Sequence, residues 1–312
     1  MSPKEGVRRD HLDGPGLAAA VACCALWGGN AIAVKAAVPS IPPFGCAGLR
    51  FLLSLPVLVI VCRAMGQPLI VPRKRLGLVL VHALFTVTQI GMFNWGTSHS
   101  LAGRSSILIN IHPLVVAPLA WPLLGERLGW RGWTGLLSAT LGVLLLMLAR
   151  GGGGGLTGDL VVIASGVIFA MQTIAQKKTF PIIPPTTLLL WQSIVALPLF
   201  FLYSALVEGL DSYHFTMNVF WGVVYQGLAV SGFCFTTWML LLRAYPAGRL
   251  ASVAFLTPLF GVALGNLVRG EALTPSLLMG GLLVGTGIYL TASDRVAHHV
   301  EPDIGLPGDD AP

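Results

Sequence analysis

Leu124-Gly125-Glu126-Arg127-Leu128 closes an apolar run that begins at Ile107, and a second apolar run, Trp133 to Leu148, follows it. A carboxylate and a guanidinium between two such runs have two readings. They are a buried pair with chemistry, or they mark a turn where the chain surfaces into water. The stretch has an echo, Gly270-Glu271-Ala272-Leu273. Other echoes share its spacing. Ala102-Gly103-Arg104 returns as Ala247-Gly248-Arg249, Pro113-Leu114 as Pro258-Leu259, and Gly135 and Gly142 as Gly280 and Gly287, all displaced by 145 residues, the distance from 126 to 271. Upstream, Lys35, Pro39, Ile41-Pro42-Pro43 and Pro56 return as Lys177, Pro181, Ile183-Pro184-Pro185 and Pro198, displaced by 142, the distance from 35 to 177. A small insertion between the two sets explains the change of shift. The chain is built twice.

Composition says in what solvent. Only 10% of the 312 residues are charged and 54% are hydrophobic, with a mean hydropathy of +0.78. A soluble domain carries about 25% charge, so this chain has too little to cover a water-facing surface and reads as a membrane protein. No cluster of basic residues forms a nucleic-acid face. The five cysteines, Cys23, Cys24, Cys46, Cys62 and Cys234, fall in or beside apolar runs with no metal or disulfide spacing, and read as small core residues. No metal or cofactor is expected. The polar, basic N-terminus leads into an apolar run without a clear cleavage site, so a retained first span is expected.

A spanning helix needs about 20 mostly apolar residues. Ten segments qualify: 17–38, 43–62, 76–98, 105–124, 133–149, 158–178, 186–207, 219–244, 248–268 and 277–292. The domain plan is an N-terminal tail 1–16, a first five-helix repeat 17–150, a glycine linker 151–157, a second five-helix repeat 158–293, and a polar tail 294–312. The five glycines of the linker lack the Lys and Ser/Thr of a phosphate loop. With the N-terminus in the cytoplasm, 14 of the 19 Lys and Arg fall in the inside segments. Lys35, Arg104, Arg150 and Arg269 fall outside, and Arg50 lies within the second span. The bias predicts both termini inside. Five spans per half is an odd number, so the second half enters the membrane from the opposite side. Such inverted repeats typify secondary transporters.

These residues carry a resemblance. Leu26-Trp27-Gly28-Gly29-Asn30 with Lys35, Ala102-Gly103-Arg104, Pro113-Leu114, Leu124-Gly125-Glu126-Arg127-Leu128 and Gly158-Asp159, in this order and duplicated, resemble the EamA-type members of the drug/metabolite transporter superfamily over about residues 15–293. The resemblance implies an all-α, ten-helix inner-membrane carrier of small metabolites, often an exporter of amino acids or related compounds.

Polar residues within spans are functional candidates by default. All the carboxylates lie in tails, loops or helix ends, so proton or sodium coupling has no midspan carboxylate. Exchange down a substrate gradient, or coupling through His82 or His112, is expected instead. His112 precedes Pro113 and its repeat mate Thr257 precedes Pro258. Corresponding breaks in two halves point to a transporter site, although a plain kink with His112 bonded to a neighbouring helix reads equally well. Asn110 is a weaker candidate. Asn30 and its mate Gln172 are amides suited to a zwitterion, or to interhelical packing. Gln89, Tyr225, Gln226 and Trp238 complete the candidate binding set with Trp27, and Trp191 is a further candidate wall. His82, Asn94, Gln176 and Gln192 also fall near midspan. Arg50 is expected to reach toward the outer interface, with a role on a substrate carboxylate as the lesser reading. Gly261-x-x-x-Gly265 and Gly281-x-x-x-Gly285 suit close packing within one subunit or a homodimer face. Glu126 and Arg127 are expected to be solvated in a cytoplasmic turn. The expected partners are a small-molecule substrate and the lipid bilayer. The rival classes are a membrane-embedded enzyme, which lacks convergent nucleophiles or metal ligands here, and a non-transporting sensor or scaffold, for which no soluble signalling segment is seen.

Overall fold

A computed structural model of the chain describes residues 12–100, 102–148, 155–209, 212–269, 275–293 and 297–298. Most of both tails, most of the glycine linker and the Gly270-Glu271 turn lie outside them. The first half comprises α1 (Gly14–Ala37), α2 (Pro43–Ala64), α3 (Leu76–Ser98), α4 (Ala102–Leu108), α5 (His112–Leu124) and α6 (Trp130–Leu148). The second comprises α7 (Leu156–Thr179), α8 (Pro185–Tyr203), α9 (Met217–Val224), α10 (Phe235–Ala244), α11 (Ala247–Val253), α12 (Leu256–Arg269) and α13 (Pro275–Ser293). A π-helical stretch, Tyr225–Cys234, joins α9 to α10. One two-residue strand pair, Glu126–Arg127 with Ala297–His298, is the sole non-helical regular element among the described residues.

Local chemistry sets the helix starts. The Asp13 carboxylate accepts from Gly16 N at 2.9 Å and caps α1, with Pro15 in its first turn. The duplicated Ile-Pro-Pro works identically in both halves. Pro42 and Pro184 are extended, with ψ of 146° and 144°, and Pro43 and Pro185 open α2 and α8. A residue before proline is pushed out of the helical region, while the second proline is preset for it. Gly125 ends α5 with φ +68°, a left-handed cap that suits glycine.

Seven helices among the described residues are long and apolar enough to cross a membrane: Gly14–Ala37, Pro43–Ala64, Arg73–Ser98, Ser105–Leu124, Leu156–Thr179, Pro185–Glu208 and Met217–Ala244. The remaining expected spans are helical as well, as α6, α11 with α12, and α13. Polarity is arranged for lipid. Ile60, Leu137, Leu206, Leu267 and Leu282 are each at least 60% exposed, while Arg50, Gln89, Asn94, Gln172 and Gln226 are buried. In water such a surface would associate. The chain is a multi-pass membrane protein.

Packing follows a swap between halves. α2 packs on its repeat mate α8, and α6 on its mate α13. α1 packs on Tyr225–Cys234 and α12, and α7 correspondingly packs on α3 and α5. The α6–α13 crossing rests on repeat-related glycines. A Cβ at Gly135 would stand 2.5 Å from Gly287 O, and one at Gly287 would stand 2.4 Å from Gly135 O. Gly261 meets Gly28 O of α1, within the subunit, whereas Gly285 has open space around it.

Helix ends gather in two layers. One holds Asp13, Glu126, Lys177 and Tyr245: Tyr245 donates to Asp13 at 2.6 Å, and Lys177 donates to Tyr245 O. The other holds Lys35, which donates to Ser98 O at 3.1 Å, and Glu208, which accepts from the amides opening α2. Tyr213 sits in this second layer on Ser204. Burial pushes its phenol above the usual range, with that hydrogen bond pulling the other way. Ser100 donates to Asp159 there too.

The Glu126 turn corrects the sequence reading. It is a turn, but Glu126 is only 4% exposed. Its Oε1 meets Lys177 Nζ at 2.7 Å, and its Oε2 accepts from Ala247 N at 2.7 Å. The carboxylate is not solvated; it ties the ends of α5, α7 and α11 together. The side chain of Arg127 lies outside the described set.

Candidate functional site

The fourth and ninth expected spans break at matching places. α4 ends at Leu108, a single 3-10 turn covers Ile109–Ile111, and α5 starts at His112. α11 ends at Val253, the chain turns through Ala254 and Phe255, and α12 starts at Leu256. Proline is the cause. Pro113 has no N–H for Ile109 O, four residues back. His112 Nδ1 donates to that oxygen instead, at 3.3 Å. Pro258 likewise leaves Ala254 O, which accepts from Thr257 N at 2.9 Å. The two breaks thus hold their spare carbonyls locally and turn His112 and Thr257 inward.

Between the breaks lies a cavity of about 80 Å³. Trp27, Asn30 and Ala31 of α1, Arg50 of α2, Gln89, Ile90 and Phe93 of α3, Ser106, Ile109, Asn110 and His112 at the first break, Phe169 of α7, Val230, Phe235, and Ala254 and Thr257 at the second break line it. A smaller cavity of about 30 Å³ continues beside it, sharing Trp27, Gln89, Ile90, Phe169 and Phe235 and adding Thr86, Gln172, Gln176, Leu189, Gln192, Trp238 and Met239. The aromatic wall between them is built by Trp27, with Trp238 at 4.7 Å and Phe235 at 6.3 Å between ring centroids. His112 lies 4.7 Å from the Phe169 ring.

The structure therefore brings Trp27, Asn30, Gln89, Asn110, His112 and Thr257 to one cavity, and Gln172 and Trp238 to its neighbour. Asn30 and Gln172 do not face a common space. Gln172 donates to Thr86 at 2.9 Å and Gln89 to Ser165 at 3.1 Å, each tying α3 to α7. Asn110 Nδ2 donates to Ser106 O at 2.6 Å. Tyr225 and Gln226 line neither cavity: Tyr225 donates to Leu26 O at 2.5 Å, and Gln226 is buried against Cys46. Trp191 donates to Leu69 O at 2.7 Å and is also elsewhere. His82 faces Thr179 at 2.9 Å and lines neither cavity.

Arg50 overturns its expected place. It does not reach for the interface; it is 1% exposed and lines the larger cavity. Its Nε donates to Ser231 at 2.6 Å. Its guanidinium lies 5.3 Å from the Phe235 ring centre and 5.6 Å from that of Phe51. Nη1 and Nη2 have no hydrogen-bond partner among the described residues. The signal was present in the sequence: Arg50 is a cation well inside an expected span rather than at its edge, and such a residue marks function by default. No group of His, Cys, Asp and Glu that would hold a metal ion occurs among the described residues.

Comparison with known proteins shows the family and the fold. The profile of the EamA-like transporter family matches residues 14–148 and again 156–293. A "Probable amino-acid metabolite efflux pump" of Salmonella typhimurium is 27% identical over 280 residues, covering 85% of this chain and 90% of that protein. A "Probable terminal-alkyne amino-acid exporter" of Streptantibioticus cattleyicolor is 29% identical over 258 residues, covering 79% of this chain and 84% of that protein. A solved structure titled "Crystal structure of protein" superposes with a TM-score of 0.75 at 20% identity, covering 88% of this chain and 96% of the other, and so shares the fold. With both parts of the chain matched by its profile, the protein belongs to the EamA-like transporter family.

Proposed function

We propose that the protein exports small amphipathic metabolites, amino acids or close relatives, across the inner membrane by alternating access. On this reading ten spans form two inverted five-helix halves, 17–150 and 158–293, with both termini cytoplasmic. Rocking of the halves exposes the central cavity to each side in turn.

The observation that carries the reading is the pair of matched helix breaks. Both breaks open on one cavity, His112 from one half and Thr257 from the other. Broken helices at corresponding positions of two repeats are where secondary carriers hold their cargo. The mixed lining of amides, His and aromatic rings suits a ligand with a polar head and an apolar body. The names of the two relatives, a probable amino-acid metabolite efflux pump and a probable terminal-alkyne amino-acid exporter, support the substrate class and the direction. Among the described residues no Asp or Glu lines either cavity, which supports exchange driven by the substrate's own gradient. The smaller and larger cavities meet at Trp27, which supports a single path.

Counterflow of labelled amino acids into proteoliposomes preloaded with unlabelled ones tests the proposal. Saturable uptake is expected, with little change when a pH gradient is imposed. No counterflow across a full amino-acid panel would sink it, and conversion of the labelled compound would favour an enzyme.

A further inference from the structure

We infer that Arg50 is the anchor for a substrate carboxylate, with Asn30 Oδ1 as the acceptor for a donor on the same molecule. The inference rests on the transport reading and deepens it.

A guanidinium held away from water needs a counter-charge or a full set of hydrogen bonds. Arg50 has neither among the described residues. Its single side-chain bond, Nε to Ser231 Oγ, fixes the plane of the group. The two aromatic contacts, to Phe51 and Phe235, hold its faces. What remains is the end-on fork, Nη1 and Nη2, buried and without partners. Two parallel N–H donors on a rigid plane match the two oxygens of a carboxylate. Among the described residues, no carboxylate lines the cavity to fill that role.

Asn30 supplies the complement. Its Oδ1 is buried and without a partner among the described residues, and it lines the same cavity. An amide oxygen accepts and cannot donate. Two residues lining the cavity thus hold unpartnered groups, donors at Arg50 and an acceptor at Asn30. A compound with a carboxylate and an ammonium or amide N–H satisfies both. Trp27, Phe93, Phe169 and Phe235 then enclose its body. At roughly 10–15 Å³ of such volume per water-sized group, 80 Å³ holds about six non-hydrogen atoms before any rearrangement. The fit is to small amino acids, or to larger ones after the halves move.

The test uses the purified full chain in detergent and three probes with one side chain: L-alanine, L-alaninamide and propionate, with the other common amino acids as a panel. Binding is measured by calorimetry, and counterflow is measured separately in proteoliposomes. The acids are expected to bind, and the amide to bind about 30-fold or more weaker. Arg50→Gln is expected to erase that difference between acid and amide. Arg50→Lys, which keeps the charge but not the fork, is expected to fall between. The acid–amide comparison uses the unaltered protein, so misfolding of a variant cannot imitate it. Equal affinity for acid and amide overturns the assignment, as does absence of binding by every acid. Equal competition by chloride also overturns it, marking a structural anion site. If acids bind through Arg50 but no counterflow occurs, the carboxylate site stands and the transport reading falls. If counterflow occurs with acid and amide alike, transport stands and the Arg50 assignment falls.

Discussion

Glu126→Gln tests the buried pair at one end of the helix bundle. The carboxylate divides its oxygens, Oε1 to Lys177 and Oε2 to Ala247 N, each at 2.7 Å. Glutamine has one acceptor oxygen. Whichever partner it keeps, its NH₂ faces the other donor, and the buried Lys177 charge loses the Glu126 carboxylate. Lys177 is 8% exposed, so water does little to screen it. Removing one member of a buried pair costs about 3–5 kcal/mol. At about 2 °C per kcal/mol for a chain of this length, the thermal midpoint should fall by about 6–10 °C. Lys177→Gln should fall by a similar amount. The double variant removes both charges, and should recover about 2 kcal/mol or more relative to the sum of the single losses. Thermal unfolding in detergent, followed by circular dichroism, reads all four proteins. Single variants within about 1 kcal/mol of the parent, or strict additivity in the double, would refute the pair as a structural tie.

Other expectations follow from the same geometry. Gly135→Ala should destabilise by about 1–3 kcal/mol, since its Cβ would press on Gly287 O, while Gly285→Ala, in open space, should be tolerated. Size-exclusion profiles and unfolding midpoints compare the two. His112→Ala and Thr257→Val should each slow counterflow about tenfold or more with midpoints near the parent's, and unchanged transport in both would remove the breaks from the site. Met65 and Val207 are repeat mates, displaced by 142 residues as 35 is from 177, and both are exposed. Cysteines placed there should react with an impermeant reagent from opposite faces of the membrane. The five native cysteines are buried and give little background, and labelling from one face alone would refute the inverted arrangement.

The helices were legible because the signal is additive. Runs of about 20 apolar residues, punctuated by Pro-Pro and by Gly125, place element ends within a few residues of the observed ones. The breaks were legible because Pro113 and Pro258 carry the same backbone deficit in each half. Facing was harder to read. Helices apolar on all sides give no periodic stripe, so nothing in the second span marks which way Arg50 points. Tyr225 and Gln226 fell outside the cavities for a related reason: a π-helical stretch changes the angle per residue from Tyr225 onward. Glu126 was misjudged because solvation of a turn depends on what packs over it. The covering groups, Lys177 and the amide of Ala247, lie far away in sequence.

The π-helical stretch has a further consequence. The repeat displacement changes from 142 to 145 between the Pro56–Pro198 pair and the Ala102–Ala247 pair. Tyr225–Cys234 lies in that interval, and its counterpart in the first half, α3, is a regular helix. The halves are therefore related but not interchangeable, and the departure falls on the strand of chain that carries Ser231, the residue orienting Arg50. For a carrier made of two mirrored halves, perfect equivalence would give its two orientations equal energy. On the proposed alternating-access reading, the inequality written into this one helix gives the two orientations different energies, and the empty protein would favour one side.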